Sequence, residues 1–455
     1  MDRETAEPKV DEIPGSKATE WVDYHHLYSA PSTAVYGFVW DITRDAEGPF
    51  CTDIDGNILM DFTSHVAAAP LGYNNPKIID KFREFDLVDP LKIAGQDFYV
   101  SGSGPTESPD FPGPPQLMDR LIEITSHYNL NTVFLSNSGA ESVENALKIC
   151  YDNRPSAKYG ITFTGAFHGR TIGTLSLNRS KSEHRSFYPE ISAIHDVPFC
   201  ENSACDRESC ECGFFPSSGK SLLRQKLEQP SGHIDPDEVA YLIIEPIQGE
   251  GGYRFPSDTF MEEIGDICDT YNIPIIVDEI QAGLGRTGRM WGCDHYSIDP
   301  DVITAAKGLR VGATISTQDI FPDTKGRISS TWGGGDIISS FLGVLTLDAI
   351  EEYNLMQNAI NQGNSFTERL LDRDLPEFVH NPRNKGLMIA VDFDTKKRRD
   401  AVLEACLNRG LLILGCGSRT VRILPPLDVT DREISIGVDV FREAVTDPAV
   451  RNIAE

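Results

Sequence analysis

The sequence predicts an α/β protein whose core is a largely parallel β-sheet. Short apolar runs, typical of buried strands, alternate along the middle of the chain with segments in which apolar residues recur at helical spacing. Strands and helices that alternate in this way form parallel sheets with helices on their faces. The predicted strands are 132–135, 160–164, 239–245, 273–278 and 302–306. Two predicted helix stripes between them are Ala140, Val143, Leu147 and Cys150, and Phe260, Ile264, Ile267 and Tyr271.

The length of the chain, 455 residues, predicts a large domain with a smaller companion, because one hydrophobic core seldom supports so many residues. Residues 1–20 are rich in charge, Pro and Gly, and predict a flexible N-terminal arm. Short strands with a turn signal at Asp55-Gly56 indicate that residues 21–100 form the N-terminal part of the small domain and a linker. The large domain is expected over residues 101–340.

Residues 341–455 are expected to complete an α+β small domain. A long helical stretch over about 338–371 precedes a strand, a helix, two strands and a last helix. That last helix begins with Thr430, followed three residues later by Glu433, which is the pattern of a capping box. Within the large domain, residues 198–219 are polar and dense in cysteine, and therefore predict an inserted surface loop.

The charge of the chain argues against nucleic acids and membranes as partners. The formal net charge of −28 repels polyanions, and no long apolar run predicts a membrane span. Arg outnumbers Lys, 26 to 15. An acidic surface poor in Lys predicts a halophilic origin, since high salt screens self-repulsion; an acidic mesophilic protein is the alternative. The polar N-terminus lacks the apolar stretch of a secretory signal, so a cytoplasmic location is expected.

Four of the ten cysteines, Cys200, Cys205, Cys210 and Cys212, lie within 13 residues. Such a cluster could hold zinc or an iron–sulfur centre. Its spacings of four, four and one intervening residues lack the paired Cys-x-x-Cys pattern that structural zinc sites usually show. We therefore predict no metal site, and expect reduced, mostly buried thiols throughout the chain.

Two segments carry the residues that indicate chemistry. An apolar strand ends at Asp278 and breaks into a glycine-rich loop, which places a carboxylate at the edge of the sheet where open α/β folds bind ligands. A second small apolar strand ends at Lys307. A buried lysine is costly unless it is used or paired, and desolvation makes its amine nucleophilic.

Together with several other motifs, these segments resemble the class III, or ω-amino-acid, aminotransferases from about residue 39 to the C-terminus. The matching motifs occur in the family's order: 138–141 (SGAE), 166–171 (AFHGRT), 245–252 (EPIQGEGG), 278–288 around Asp278, Lys307, 330–334 (STWGG) and 421–423 (VRI). The resemblance implies the fold of type I pyridoxal-phosphate enzymes, with a mostly parallel seven-stranded sheet in the large domain.

The cofactor implied by this resemblance is pyridoxal 5'-phosphate. Ser138, Gly139 and Ala140 lie between a predicted strand and a predicted helix, where free N–H groups and the helix dipole favour phosphate; an ordinary N-cap serine is the alternative for Ser138. The resemblance also implies that Thr331 from a second copy of the chain reaches the phosphate. We therefore expect a homodimer, or a dimer of dimers, with active sites at the subunit interface.

At the cofactor ring, the resemblance implies that Lys307 forms the Schiff base and later moves the substrate proton. It also implies that Asp278 pairs with the pyridinium nitrogen. Three further residues are expected to contact the cofactor: Phe167 at the ring face, Gln281 near the phenolic oxygen, and Glu245. A core position is the alternative for Phe167. His168 is expected to be a packed, hydrogen-bonded residue.

Two arginines are expected to select the substrates. Arg170 matches the family residue that binds the distal carboxylate of an ω-amino acid, and Arg422 matches the one that binds the α-carboxylate of 2-oxoglutarate. A planar guanidinium binds carboxylate through two hydrogen bonds. Glu250 matches the acid that neutralises Arg422 during the first half-reaction.

The expected activity is transfer of an ω-amino group, from 4-aminobutyrate, lysine or a similar amine, to 2-oxoglutarate. Residues 37–44 and 327–334 look most like lysine 6-aminotransferases, whereas residues 415–417 look equally like 4-aminobutyrate aminotransferases. An amino-acid racemase or epimerase on the same scaffold is the alternative enzyme, and a non-catalytic cofactor-binding protein is a third interpretation.

Overall fold

The chain divides into two compact units, which we describe separately. The structure is a computed structural model and describes residues 1–32, 37–98, 100, 111–191, 193–216, 219–228, 233–330 and 334–453. Unit 1 contains residues 1–81 and 352–455, and unit 2 contains residues 82–351. The boundaries therefore differ from those expected at 100 and 340. Unit 2 starts earlier because the ring of Phe85 packs on Phe111 and Phe341, at centroid distances of 5.4 and 5.0 Å.

The core of unit 2 is a seven-stranded, mostly parallel sheet, which confirms the predicted α/β class. Its strands follow in spatial order β3-β9-β8-β7-β6-β4-β5, and only β9 runs antiparallel to its neighbours. Among the described residues, the strands are β1 (Phe50–Thr52), β2 (Ile58–Asp61), β3 (Thr132–Ser136), β4 (Tyr159–Phe163), β5 (Ile194–Val197), β6 (Val239–Ile244), β7 (Ile275–Asp278), β8 (Val302–Ala305), β9 (Gly312–Ser316), β10 (Val379–Lys385), β11 (Met388–Phe393), β12 (Leu411–Leu412), β13 (Leu414–Cys416) and β14 (Thr420–Ile423).

Helices cover this sheet as the alternating pattern predicts. The central strands β6, β7 and β8 are buried at every position, because helices on both faces exclude water. The α-helices of unit 2 are Pro114–Ile124, Gly139–Asn153, Ile172–Leu177, Leu222–Leu227, Asp258–Tyr271 and Ile337–Glu352, the last of which ends at the boundary with unit 1. Short 3-10 turns lie at Leu91–Ile93, Ser126–Tyr128, Ser182–His184, Pro236–Glu238, Cys293–His295 and Lys307–Leu309.

Two strands of the sheet are not among the individual strands predicted from the sequence. The edge strand β5 has only one buried position in four, so it shows no apolar run. Strand β9 is buried at every position, but is made of Gly, Ala, Thr, Ile and Ser. Because these side chains are small or hydroxylated, β9 does not form an apolar run in the sequence.

Unit 1 holds two smaller sheets. Strands β1 and β2 form the predicted hairpin, and β12 joins β2 in parallel. The second sheet has the order β10-β11-β14-β13 and is antiparallel. The α-helices assigned here are Ser16–His26, Pro76–Arg83, Leu355–Leu371, Lys396–Leu407, Asp431–Thr446 and Pro448–Arg451, the second of which crosses the boundary at residue 81. Residues Ser64–Ala67 form a left-handed turn, with φ between 45° and 66°.

The capping box predicted for the last long helix is present. The side chain of Thr430 accepts from the backbone N–H of Glu433, and Glu433 accepts from the N–H of Thr430. The single helical stretch expected over 338–371 is instead two helices, because Asn354 adopts a left-handed conformation with φ of 51° between them.

The N-terminal arm is not free, which corrects the expectation for residues 1–20. Arg3 donates to Oε1 of Glu433 at 2.7 Å and to Oδ2 of Asp428 at 2.8 Å. Lys9 forms a bridge with Ile58, and Ala18 is fully buried. These ion pairs and backbone contacts hold the first residues on unit 1.

The cysteine-dense segment 198–219 is also more than a surface loop. Phe199 and Phe214 are buried, and both rings pack edge-on against Phe260, at 5.3 and 4.6 Å. The segment therefore contributes aromatic side chains to the core of unit 2. All ten cysteines of the chain are free thiols, and eight of them are buried. Within the described residues, no helix has the length and apolar composition needed to cross a membrane.

Candidate active site

The carboxylate of Asp278 lies buried at the end of β7. Its Oδ2 is 2.8 Å from Nδ1 of His168, and its Oδ1 accepts from the backbone N–H of Ile280 at 3.1 Å. His168 is fixed in turn, because its backbone N–H donates to Oδ1 of Asn178 at 2.7 Å. Its second ring nitrogen, Nε2, is buried and has no partner among the described residues. His168 is thus the packed, hydrogen-bonded residue that the sequence indicates, and the group that it contacts is the carboxylate of Asp278.

Lys307 follows the neighbouring strand, β8. Asp278 on β7 pairs with Thr304 on β8. Lys307 follows Thr304 by three residues, so it lies close to Asp278 at the same edge of the sheet. The backbone of Lys307 has a φ of 54°, a left-handed conformation that is uncommon for residues other than glycine. Such strained conformations occur most often at functional sites, where the surrounding structure holds them.

The predicted phosphate-binding segment lies against the strand that leads to Lys307. A side chain at Gly139 would place its Cβ 2.8 Å from Cδ1 of Ile280 and 3.3 Å from Cβ of Ala306. Ser138 caps the helix Gly139–Asn153, and its side chain accepts from the N–H of Glu141. The backbone N–H groups of Gly139 and Ala140 have no acceptor in the described part of the chain. A helix N-terminus with two open donors is suited to an anion.

Glu245 follows β6 and connects two of the motifs. Its carboxylate accepts from the backbone N–H of Phe167 at 3.0 Å and of Gly249 at 2.9 Å. Burial raises the pKa of this carboxyl to about 7. Gln281 packs on the same turn, since a Cβ at Gly249 would lie 2.6 Å from its Oε1. That oxygen is buried, and none of the described residues donates to it.

A cluster of charged groups lies beside Phe167. The guanidinium carbon of Arg170 is 6.0 Å from the centre of the Phe167 ring, and the ring of His184 meets it edge-on at 5.6 Å. Lys181 forms an ion pair with Glu250. Burial, with the positive charges of Lys181 and Arg170, lowers the pKa of His184. Arg170 therefore lies near the ring of Phe167, and Glu250 is paired with Lys181.

Most of the predicted site residues come together in unit 2. They are Ser138, Gly139, Ala140, Phe167, Glu245, Asp278, Gln281 and Lys307. Arg422 belongs to unit 1, where it is buried in β14 between β11 and β13. Thr331 lies outside the described residues. Sequence reasoning missed Lys181, because a single lysine in a polar stretch carries no pattern; its position 11 residues after Arg170 was the only available signal.

A seven-stranded sheet with a buried carboxylate and a lysine at the ends of neighbouring strands is the arrangement of fold type I pyridoxal-phosphate enzymes. Residues 33–445 match the family described as Aminotransferase class-III. The chain therefore belongs to the class III aminotransferases, and pyridoxal phosphate is its cofactor.

Several curated relatives and solved structures are similar over nearly the whole chain. Putrescine aminotransferase of Pectobacterium atrosepticum is 31% identical, covering 90% of this chain and 84% of the relative. A 4-aminobutyrate aminotransferase of Mycobacterium leprae is 30% identical, covering 96% and 98%. The structure of lysine aminotransferase from M. tuberculosis in the internal aldimine form superposes with a TM-score of 0.81 at 25% identity, covering 94% and 99%.

The residues present fit the cofactor. The open N–H groups of Gly139 and Ala140 offer donors for its phosphate. The orphaned oxygen of Gln281 needs a polar neighbour, since buried polar groups are almost always satisfied. Asp278, held by His168, offers a carboxylate for a protonated ring nitrogen. Lys307 offers an amine to which the cofactor could be attached covalently.

Proposed function

We propose that this enzyme transfers the terminal amino group of an ω-amino acid, such as 4-aminobutyrate or lysine, to 2-oxoglutarate. The observation that carries the proposal is the placement of Arg170 and Lys181 around Phe167 and Glu250. Two cations beside the expected face of the cofactor suit a donor that carries a carboxylate at the end remote from its amine. Three relatives are named for putrescine, 4-aminobutyrate and lysine, which are all amines with a terminal amino group.

The residues at the ends of the strands have distinct roles in this proposal. When bound, pyridoxal phosphate supplies an electron sink for the bond that is broken at the amino-bearing carbon. Asp278 keeps the ring nitrogen protonated, and the hydrogen bond to His168 holds its carboxylate in place. Lys307 holds and moves the proton at the reacting carbon. Phe167, whose backbone is tied to Glu245, shields one face of the ring.

The two substrates place different groups at one position. An ω-amino donor presents a plain CH2 group where 2-oxoglutarate presents a carboxylate. We propose that Arg422 binds that carboxylate and that Glu250 neutralises Arg422 while the donor is bound. The ion pair of Glu250 with Lys181 supports this role, because it gives the acid an alternative partner when Arg422 is engaged by substrate.

We also propose a homodimer, or a dimer of dimers, in which Thr331 completes the phosphate site of the neighbouring copy. Exposed apolar side chains near the AFHGRT motif support an interface there. Ile172, Phe187 and Tyr188 are about half exposed or more, and exposed apolar patches often mark the surfaces that proteins use to associate. Light scattering coupled to size exclusion should give at least twice the mass of one chain, and a monomer with full activity would contradict the proposal.

The acidic composition supports a halophilic, cytoplasmic enzyme. A net charge of −28 destabilises the folded chain by self-repulsion until salt screens it, and ten free thiols suit a reducing compartment. Activity should therefore rise as KCl is increased from low to molar concentration. Loss of activity over the same range would indicate an acidic mesophilic enzyme.

The decisive experiment is a donor panel with 2-oxoglutarate at low and high salt. The panel contains 4-aminobutyrate, lysine, ornithine, putrescine and, as a control donor without an ω-amine, alanine. Glutamate should appear with ω-amino donors and not with alanine. Conversion of one enantiomer of an amino acid to the other without 2-oxoglutarate would support a racemase instead.

A further inference from the structure

Four cysteine thiols converge in the segment 198–219. The Sγ atoms of Cys200, Cys205 and Cys212 lie within 4.8 Å of one another. Sγ of Cys210 is 3.1 Å from Sγ of Cys212, and Cys210 also forms a side-chain hydrogen bond with Cys205. In a tetrahedral site with four thiolates, zinc–sulfur bonds of ~2.3 Å place the sulfur atoms roughly 3.8 Å apart. Small shifts of these thiols would therefore surround one ion.

Hydrogen-bond donors surround these sulfur atoms. The backbone N–H of Phe215 donates to Sγ of Cys210 at 3.3 Å, and the backbone N–H of Phe214 donates to the sulfur of Cys212. The backbone N–H of Ser257 donates to the sulfur of Cys200. Donors of this kind stabilise negative charge on sulfur and orient metal ligands.

A bound ion would stabilise the segment that carries the thiols. Among its described residues, 198–219 contains neither helix nor strand, and a long loop without secondary structure is uncommon inside a compact domain. It nevertheless has a fixed place in the core. The N–H of Phe199 donates to Oγ1 of Thr164 at 3.1 Å, and Glu201 pairs with Arg254 at 2.9 Å. Cys200 lies near the start of the segment and Cys212 lies in its second half, so one ion bound by both would hold these two parts of the loop together.

We propose that Cys200, Cys205, Cys210 and Cys212 bind one Zn²⁺ ion in a closed, structural site. The sequence predicts no metal because it lacks Cys-x-x-Cys pairs, but folding brings the thiols together regardless of their spacing. A polynuclear iron–sulfur cluster fits less well, because several irons and sulfides between the ligands would hold the cysteine sulfurs further apart. The site is independent of the proposed amino donor.

Metal analysis of the intact enzyme tests this proposal. Protein purified under reducing conditions without chelator should contain about one zinc per chain, as a single four-thiolate site requires. Blocking the thiols with an organomercurial should release that zinc to a colorimetric indicator in the same amount. Replacing zinc by cobalt should produce thiolate-to-cobalt charge-transfer absorption and the visible bands of tetrahedral Co²⁺.

Matched serine variants locate the ion. Cys205→Ser and Cys212→Ser should each lower the zinc content at least tenfold. The control is Cys406→Ser, which replaces a buried cysteine of the helix Lys396–Leu407 and should leave the zinc content unchanged. If the cluster variants do not fold, zinc release from the unaltered enzyme still decides the question. Three results would overturn the proposal: four freely reactive thiols without metal, a disulfide among these cysteines in protein purified under reducing conditions, or iron with acid-labile sulfide.

Discussion

Oδ2 of Asp278 lies 2.8 Å from Nδ1 of His168, and both side chains are buried. The histidine thus restricts the orientation of the carboxylate that we assign to the ring nitrogen. A hydrogen bond to a charged group contributes about 1.5–3 kcal/mol. His168→Phe should therefore lower kcat/KM about tenfold to a hundredfold and shift the pH dependence of the cofactor's visible absorption band. His168→Gln, whose amide can donate to the same oxygen, should recover part of the loss, and an unchanged band in His168→Phe would contradict the assignment.

Replacement of Lys307 should separate cofactor binding from turnover. Lys307→Ala removes the amine to which we assign both cofactor attachment and proton transfer, so turnover should fall by about 10²–10⁴-fold or more. The phosphate and ring contacts remain, and the variant should still bind pyridoxal phosphate without a covalent bond. Borohydride reduction followed by mass spectrometry should show the cofactor adduct in the unaltered enzyme and in Lys158→Ala, an exposed control, but not in Lys307→Ala.

The role of Arg170 can be tested with two donors that differ in one group. Arg170→Met should lower kcat/KM about tenfold or more for 4-aminobutyrate, since a hydrogen bond between charged groups is lost. Putrescine has an amine in place of the carboxylate, so its kcat/KM should stay the same or rise. Steady-state assays with both donors measure the ratio, and Arg185→Met provides a control in the same region. Equal losses for the two donors would exclude carboxylate recognition by Arg170.

Arg422 should act in only one of the two half-reactions. In Arg422→Ala, single-turnover measurements should show the 2-oxoglutarate half-reaction weakened by up to about a hundredfold, the upper range for loss of a charge-assisted contact. The half-reaction with an ω-amine should change little. Arg419→Ala, an exposed arginine before the same strand, is the matched control. A comparable loss in both halves would count against the gating role of Glu250.

The buried carboxyl of Glu279 predicts a pH dependence of stability. Burial raises its pKa from 4.5 to about 7, although its oxygens accept from the N–H groups of Gly292 and Cys293. The folded state therefore holds a proton that the unfolded state releases over this interval. This contribution to the free energy of unfolding is fully present below pH 4.5 and is lost as the pH rises to about 7. The loss is about 3 kcal/mol, at ~1.4 kcal/mol per pKa unit.

Denaturation at a series of pH values, with the unaltered enzyme and two variants compared at each pH, measures this effect. The stability of Glu279→Gln relative to the unaltered enzyme should improve steadily between pH 4.5 and 7, because the amide does not titrate. Glu262→Gln, on the exposed face of the helix Asp258–Tyr271, should leave the pH profile unchanged. Parallel profiles for all three proteins would show that Glu279 does not titrate in this range.

The sequence predicted the class of fold, and it singled out Asp278 and Lys307 as candidate site residues, because both leave local patterns. Strands β6, β7 and β8 are continuous apolar runs, and Asp278 and Lys307 stand directly after two of them. Strand β5 was missed because its side chains are half exposed, and β9 because its residues are small. The contact of His168 with Asp278 joins residues 110 positions apart, and no local pattern encodes such a pairing.

The convergence of Cys200, Cys205 and Cys212 likewise has no local pattern in the sequence. Spacing along the chain decides a metal site only where the ligands lie on a short, regular turn. Here the loop folds back on itself around Phe199 and Phe214, and the proximity of the sulfur atoms arises from that packing. The domain boundaries show the same limitation, since Phe85 joins unit 2 through ring contacts that are distant in sequence.

The ion pairs of Arg3 have a practical consequence for crystallisation and tagging. Residues so near a terminus are routinely trimmed or fused to an affinity tag. Here trimming would leave the buried carboxylate of Glu433 without its guanidinium partner, and an uncompensated buried charge costs about 3–5 kcal/mol. Expression vectors that shorten the leading segment should therefore yield less soluble enzyme than those that keep Arg3.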